Sequence, residues 1–165
     1  MTRVFLSLVA MACLGLAACT TPGNDGTSLG TGVYKIRNPD KVQFRMLDSV
    51  NALRQAGGKA PLQLHSALNA AAATHAKDMA LQNRPWHFGS DGSSPLDRAI
   101  RAGFTGRVLG ETISESYENE VQTLTAWMEN SAARAVLMDA KAVNMGFSWH
   151  QEENGKIWWT LITAT

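Results

Sequence analysis

The stretch 144–164, NMGFSWHQEENGKIWWTLITA, decides the architecture of this chain. Two runs rich in β-branched and aromatic residues flank Asn154-Gly155, a dipeptide that favours the tight two-residue turn of a β-hairpin. Within the second run Trp158 and Trp159 are consecutive. Successive side chains of a strand point to opposite faces, so one indole lies on each side of the sheet. Both faces must then be covered, which implies a sheet sandwiched between layers of helix.

The helices to cover it lie upstream. One is expected from about Asp40, with Val42, Met46, Val50 and Leu53 at helical spacing and Gly57-Gly58 ending it. The stretch APLQLHSALNAAAATHAKDMALQ, 60–82, predicts a second, with Leu68, Ala72, His75 and Met79 on one stripe. Its alanines give strong helix propensity, and on a buried face they let neighbouring elements approach closely. Ser94-Pro95 is a helix-start signal, and Gly103 closes the short helix it opens. RVLGETISES, 107–116, reads as extended, and SYENEVQTLTAWMEN, 116–130, as a long helix with Tyr117, Val121, Leu124 and Met128 in line.

The chain has 165 residues, 45 % of them hydrophobic and 18 % charged, which suits one globular domain. Residues 1–18 read as a signal segment: a positive start, then an apolar run too short to span a bilayer. The run ends in LAAC, 16–19, which resembles the lipobox of bacterial lipoproteins, where cleavage precedes the cysteine and the cysteine is acylated. That resemblance implies Cys19 as the lipidation site, with cleavage after Ala18 by an ordinary signal peptidase as the alternative. Cleavage removes Arg3 from the 15 basic residues and balances the rest against 14 acidic ones. A neutral chain has no electrostatic footprint for nucleic acid, and none for anionic lipid beyond an acyl anchor. Both cysteines, Cys13 and Cys19, precede the domain, so its stability rests on its core. Residues 19–40 carry glycine and proline and read as a tether reaching about 25 Å as a random coil. The folded domain is expected over 41–165.

With these elements placed, the chain resembles the CAP superfamily (cysteine-rich secretory proteins, antigen 5 and pathogenesis-related proteins) in its bacterial single-domain form. VNALRQAGGKAPLQLHSALNAAAATHAKDMA, 50–80, is similar to the family's first two helices, with its Asn-x-x-Arg element. HFGSDGSSPLDR, 87–98, resembles its His-x-Gly loop, GETI, 110–113, its Gly-Glu-Asn-Ile strand, and AWMENSAARAVLM, 126–138, its tryptophan-led helix. The resemblance implies an α+β fold: a three-layer α-β-α sandwich with a small, mostly antiparallel sheet between helices.

It also implies a cleft built on His87 and Glu111, where some members of the family hold a divalent metal, often zinc. The family's further histidine falls on Ala133, with Arg134 matching the arginine after it; a shifted register puts Arg134 at the histidine position. A further carboxylate falls on Asn130, and Thr112 replaces the asparagine beside Glu111. A catalytic zinc site keeps three protein ligands, and His87 and Glu111 supply two. The site is therefore expected to be degenerate: no cofactor, and at most weak divalent-metal binding at His87 and Glu111. Cleft residues expected to touch a ligand are His87, Glu111, Arg134 and Ser90. No nucleophile or oxyanion site can be assigned, so the catalytic residues stay unknown. For Glu111 a structural clamp with His87 or Arg98 is the competing reading, and for His75 a buried histidine bonded within the core.

The expected function, as the two resemblances imply it, is an envelope lipoprotein whose domain binds a small lipid or cell-wall ligand without catalysis. It is exported and lipid-anchored, and in an organism with two membranes it sits on the outer one facing the periplasm. The alternatives are a weak hydrolase using the His87/Glu111 pair, and an envelope scaffold with a vestigial cleft.

Overall fold

A computed structural model of the chain describes residues 26–28 and 34–165. The signal segment and Cys19 lie outside the described residues, as does most of the tether. Within the span expected to be tether, β1 (Gly26–Ser28) pairs antiparallel with β2 (Tyr34–Ile36). Ile36 packs against the core, and its backbone N–H donates to Gln151 Oε1 at 3.0 Å.

The domain proper is a four-stranded sheet in the order β3-β5-β6-β4: β3 (Gln63–Leu64), β4 (Val108–Glu115), β5 (Asn144–Gln151) and β6 (Ile157–Ala164). Only β3 pairs in parallel; β5, β6 and β4 form antiparallel ladders. α1 (Pro39–Ala56), α4 (Glu120–Glu129) and α5 (Ser131–Leu137) cover one face, and α2 (Ser66–Gln82) and α3 (Pro95–Arg101) the other. The result is the three-layer sandwich that the consecutive tryptophans require. Trp159 packs with Val42, Met46 and Leu124 on the first face, and Trp158 with Ala76 and Met79 on the second.

The alanine run of α2 works as its composition predicts. Ala71, Ala72 and Ala76 are buried, and the helix lies so close to β5 that a Cβ on Gly146 would sit 2.2 Å from the carbonyl carbon of Leu68. The Asn-x-x-Arg element of α1 holds the loop that follows it. Asn51 exchanges two hydrogen bonds with the backbone of Leu62. Arg54, fully buried, donates to the carbonyls of Ala60, Leu137, Asp139 and Ala142.

Three local expectations are corrected. Leu53 is exposed and Arg54 takes the fourth position on the buried stripe of α1. The helix expected over 116–130 starts only after Asn119, and Asn130, where it ends, also caps a separate short helix, α5. The buried face of α4 is Glu120, Thr123, Leu124 and Trp127, while Tyr117 and Val121 are exposed. The β5–β6 connection is five residues, 152–156, because only Gly155 takes a left-handed φ (+94°). The two-residue type I′ turn needs that conformation at both central positions.

Candidate functional site

Glu111 lies on β4, at the edge of the sheet. It pairs with Ile162 of β6 and so points, like Ile162, toward α2 and α3. Its side chain is 1 % exposed, and both oxygens are engaged. Oε2 accepts from Arg98 Nη2 at 2.7 Å, and Oε1 accepts from His87 Nδ1 at 2.9 Å. A carboxylate only accepts, so Nδ1 of His87 carries a hydrogen, and Nε2 is the nitrogen left without a partner on a half-exposed ring.

Arg98 is the hub. Held in α3 behind the Ser94 capping box, it also donates through Nη1 to the carbonyls of Ser93 at 2.8 Å and His87 at 3.2 Å. One guanidinium thereby fixes the carboxylate of the strand and the backbone of the loop carrying the histidine. Planar geometry with several donors suits arginine to this task.

His75 of α2 completes the cluster from below. Its Nε2 is 3.6 Å from Glu111 Oε1, but its hydrogen bond goes to the carbonyl of Trp86 at 2.9 Å. Nδ1 is buried with no partner. Burial lowers the pKa of this imidazole below its ordinary 6.5 and outweighs the opposing pull of Glu111. The ring stays neutral, and it touches the rear of the cluster rather than the cleft.

The cleft, about 360 Å³, opens on the other side of β4. Its walls are His87, the strand 111–114, Tyr117, and Ala126, Trp127, Asn130, Ala132, Ala133 and Val136 from α4 and α5. Trp127 Nε1 donates to the carbonyl of Ile113 at 3.2 Å, and Trp159 Nε1 holds the carbonyl of Tyr117 at 2.9 Å. Asn130 uses its Oδ1 to cap Ala132 and Ala133. Sequence reasoning did not place Thr112, Ser114 or Tyr117 here. Strand alternation from Glu111 puts Thr112 and Ser114 on the α4 face, so the signal was present.

Of the residues expected at the cleft, the structure brings together His87 and Glu111. Ser90 lies elsewhere: its Oγ and N–H both bond to Asp78, on a separate 260 Å³ cavity lined also by Lys77, Asp91 and Arg101. Arg134 is exposed and donates to the carbonyl of Met128. Ala133 does line the cleft, at the position where the family resemblance places a histidine.

A divalent ion does not fit this donor set. Glu111 is already neutralised by a guanidinium that would repel a cation, and its other oxygen holds His87. That leaves His87 Nε2 as one donor where three are needed. Among the described residues, no three His, Cys, Asp or Glu side chains are grouped to hold a metal.

Ser114 has a buried hydroxyl with no partner. It points to the opposite face from Glu111 and lies three residues along the strand, about 10 Å away. Ser114 lines the cleft as His87 does, but no hydrogen bond joins the two.

Known proteins share this arrangement of elements. The chain is 26 % identical over 114 residues to the uncharacterized protein YkwD of Bacillus subtilis (strain 168), covering 69 % of this chain and 44 % of that protein. An outer surface protein of Borrelia burgdorferi superposes with a TM-score of 0.72 at 12 % identity, over 78 % of this chain and 96 % of that one. An SCP-domain extracellular protein of Bacillus anthracis str. Ames gives 0.68 at 21 % identity, over 80 % and 45 %. The chain thus spans less than half the length of the Bacillus relatives, and the structural likenesses show the fold. The profile of the cysteine-rich secretory protein family, CAP, matches residues 47–163, and the chain belongs to that family.

Proposed function

We propose that the chain is an exported, lipid-anchored module of the cell envelope whose cleft binds a ligand without transforming it. The ligand class is a lipid or a cell-wall fragment. The observation that carries the reading is the state of Glu111: buried, and held at both oxygens by Arg98 and His87. Such a carboxylate positions a loop. A hydrolase would need a nucleophile activated by His87, and among the described residues no hydroxyl is hydrogen-bonded to its ring. Anchoring rests on LAAC at 16–19.

The test combines binding and turnover. Lipid vesicles and soluble peptidoglycan fragments are titrated against the chain and against His87→Ala, and both proteins are screened with ester and peptide substrates. Saturable binding by one probe, with equal background hydrolysis in both proteins, is the expected result. Turnover lost in His87→Ala establishes the hydrolase instead. Binding of neither probe and turnover of neither substrate leaves the scaffold reading. For the anchor, labelled fatty acid should enter the wild type and fail to enter Cys19→Ala.

A further inference from the structure

β4 is the last strand of the sheet, so one side of its backbone meets no strand. In an antiparallel ladder alternate residues turn their N–H and C=O to that outer side. Two bonds fix which ones. The N–H of Ser116 reaches the carbonyl of Ile157 in β6, so 116, 114 and 112 face inward. The carbonyl of Ile113 is met by the indole of Trp127, so 113 and 111 face outward. Beyond the ladder, no backbone bond among the described residues engages the N–H of Glu111 or Ile113.

These outward groups border the cleft, which four successive strand residues, 111–114, line. Exposed edges that are not blunted by charge, proline or a covering element are templates for another strand. Here the edge is recessed between the His87 loop and α4–α5, and since the Ile113 carbonyl already accepts from Trp127, the N–H groups of Glu111 and Ile113 are what it offers an extended chain. The facing wall of Ala126, Ala132, Ala133 and Val136 suits small side chains at alternate positions.

Past Ile113 the track continues. Tyr117 and Ala126 also border a second groove of about 400 Å³ along α4, with Val121, Gln122, Thr125 and Glu129. Glu129 is the one charged residue lining it, and among the described residues nothing pairs with it. That end complements a cation.

We infer that the cleft ligand is an extended peptide, added as a fifth strand along Glu111–Ile113, with a basic side chain reaching Glu129. This deepens the binding-module reading and rests on it. Strand addition draws affinity from main-chain hydrogen bonds and specificity from alternate side chains. The cell-wall fragment expected from the sequence is recognised, on this view, through its peptide portion.

The probes are acetylated hexapeptide amides of alanine and threonine with one lysine at either end, titrated into the full chain by amide-detected NMR. One of the two isomers should bind. N-methylation at alternate peptide nitrogens should weaken it at least tenfold, while N-methylation at the intervening ones should not. Saturation should slow hydrogen exchange at Glu111 and Ile113 at least tenfold and leave Thr112 and Ser114 as they were. Exchanging lysine for glutamate should weaken binding, and Glu129→Lys should restore it. Equal binding by both N-methyl series, or unchanged exchange at Glu111 and Ile113, overturns strand addition. Binding of a vesicle or a peptide-free glycan, but no peptide, overturns the ligand class and leaves the binding module standing. Failure of all three probes overturns both.

Discussion

Arg98→Met tests the hub of the site. Methionine keeps the length and apolar stem of arginine but removes its donors. The change leaves the Glu111 carboxylate, 1 % exposed, without its guanidinium, and strips partners from the carbonyls of Ser93 and His87. Breaking a buried ion pair by deleting one partner costs about 3–5 kcal/mol, chiefly through the uncompensated charge left behind. At about 3–5 °C per kcal/mol for a domain of this size, the melting temperature should fall by about 9–25 °C. Urea unfolding followed by tryptophan fluorescence reads the loss directly. Because the pair is buried, the cost should change little with added salt. The second arm is Arg98→Met with Glu111→Leu. Removing both charges should recover most of the stability, which a single deletion cannot explain. A single-variant loss under about 1 kcal/mol would match a solvent-screened surface pair and refute the role given to Arg98.

Other outcomes follow from separate features. Gly146→Ala places a methyl group against the backbone of α2 at Leu68, and its cost should reach or exceed the upper end of the usual 1–3 kcal/mol for overpacking, read by urea unfolding; a change under about 0.5 kcal/mol would contradict the close approach. His75, neutral in the fold, binds fewer protons than the unfolded chain below its ordinary pKa of 6.5. Stability should therefore be fully present above that pH and fall on acidification, by up to about 1.4 kcal/mol per unit until the lowered folded-state value is passed. His75→Gln, whose amide can keep the bond to Trp86, should lose less between pH 7 and pH 5, and an equal loss would contradict the assignment. Ala133→His adds an imidazole to the cleft wall opposite His87 and should raise zinc affinity at least tenfold; no gain would show that the two positions do not converge.

The layer order was legible because it needs only parity: Trp158 and Trp159 cannot share a face, and α2's alanines announce close packing. The boundaries were less legible, for physical reasons. Apolar spacing marked Leu53 as the next buried position of α1, but four carbonyls of loops distant in sequence bury Arg54 instead. Tyr117 and Val121 continued an apolar pattern, yet Asn119 caps the helix between them and turns both outward. At the site, His87 and Glu111 were visible as residue types in recognisable surroundings. Arg98 was visible as a partner, but not as the residue joining strand to loop. Ser90 is near His87 in sequence, and Asp78 draws it to the other side of the loop. His75 lay on a stripe that reads as core. Its approach to Glu111 depends on how α2 crosses the sheet, which no local pattern encodes.

The claim at the centre is that an internal guanidinium, rather than a bound ion, balances the carboxylate of this cleft. Calorimetric titration of the dialysed wild-type chain with zinc at neutral pH tests it most directly. The account predicts little heat and a dissociation constant no tighter than about 100 μM, as expected when one imidazole nitrogen remains available. Nanomolar binding that is lost in His87→Ala, with Arg98 displaced from Glu111, would contradict it.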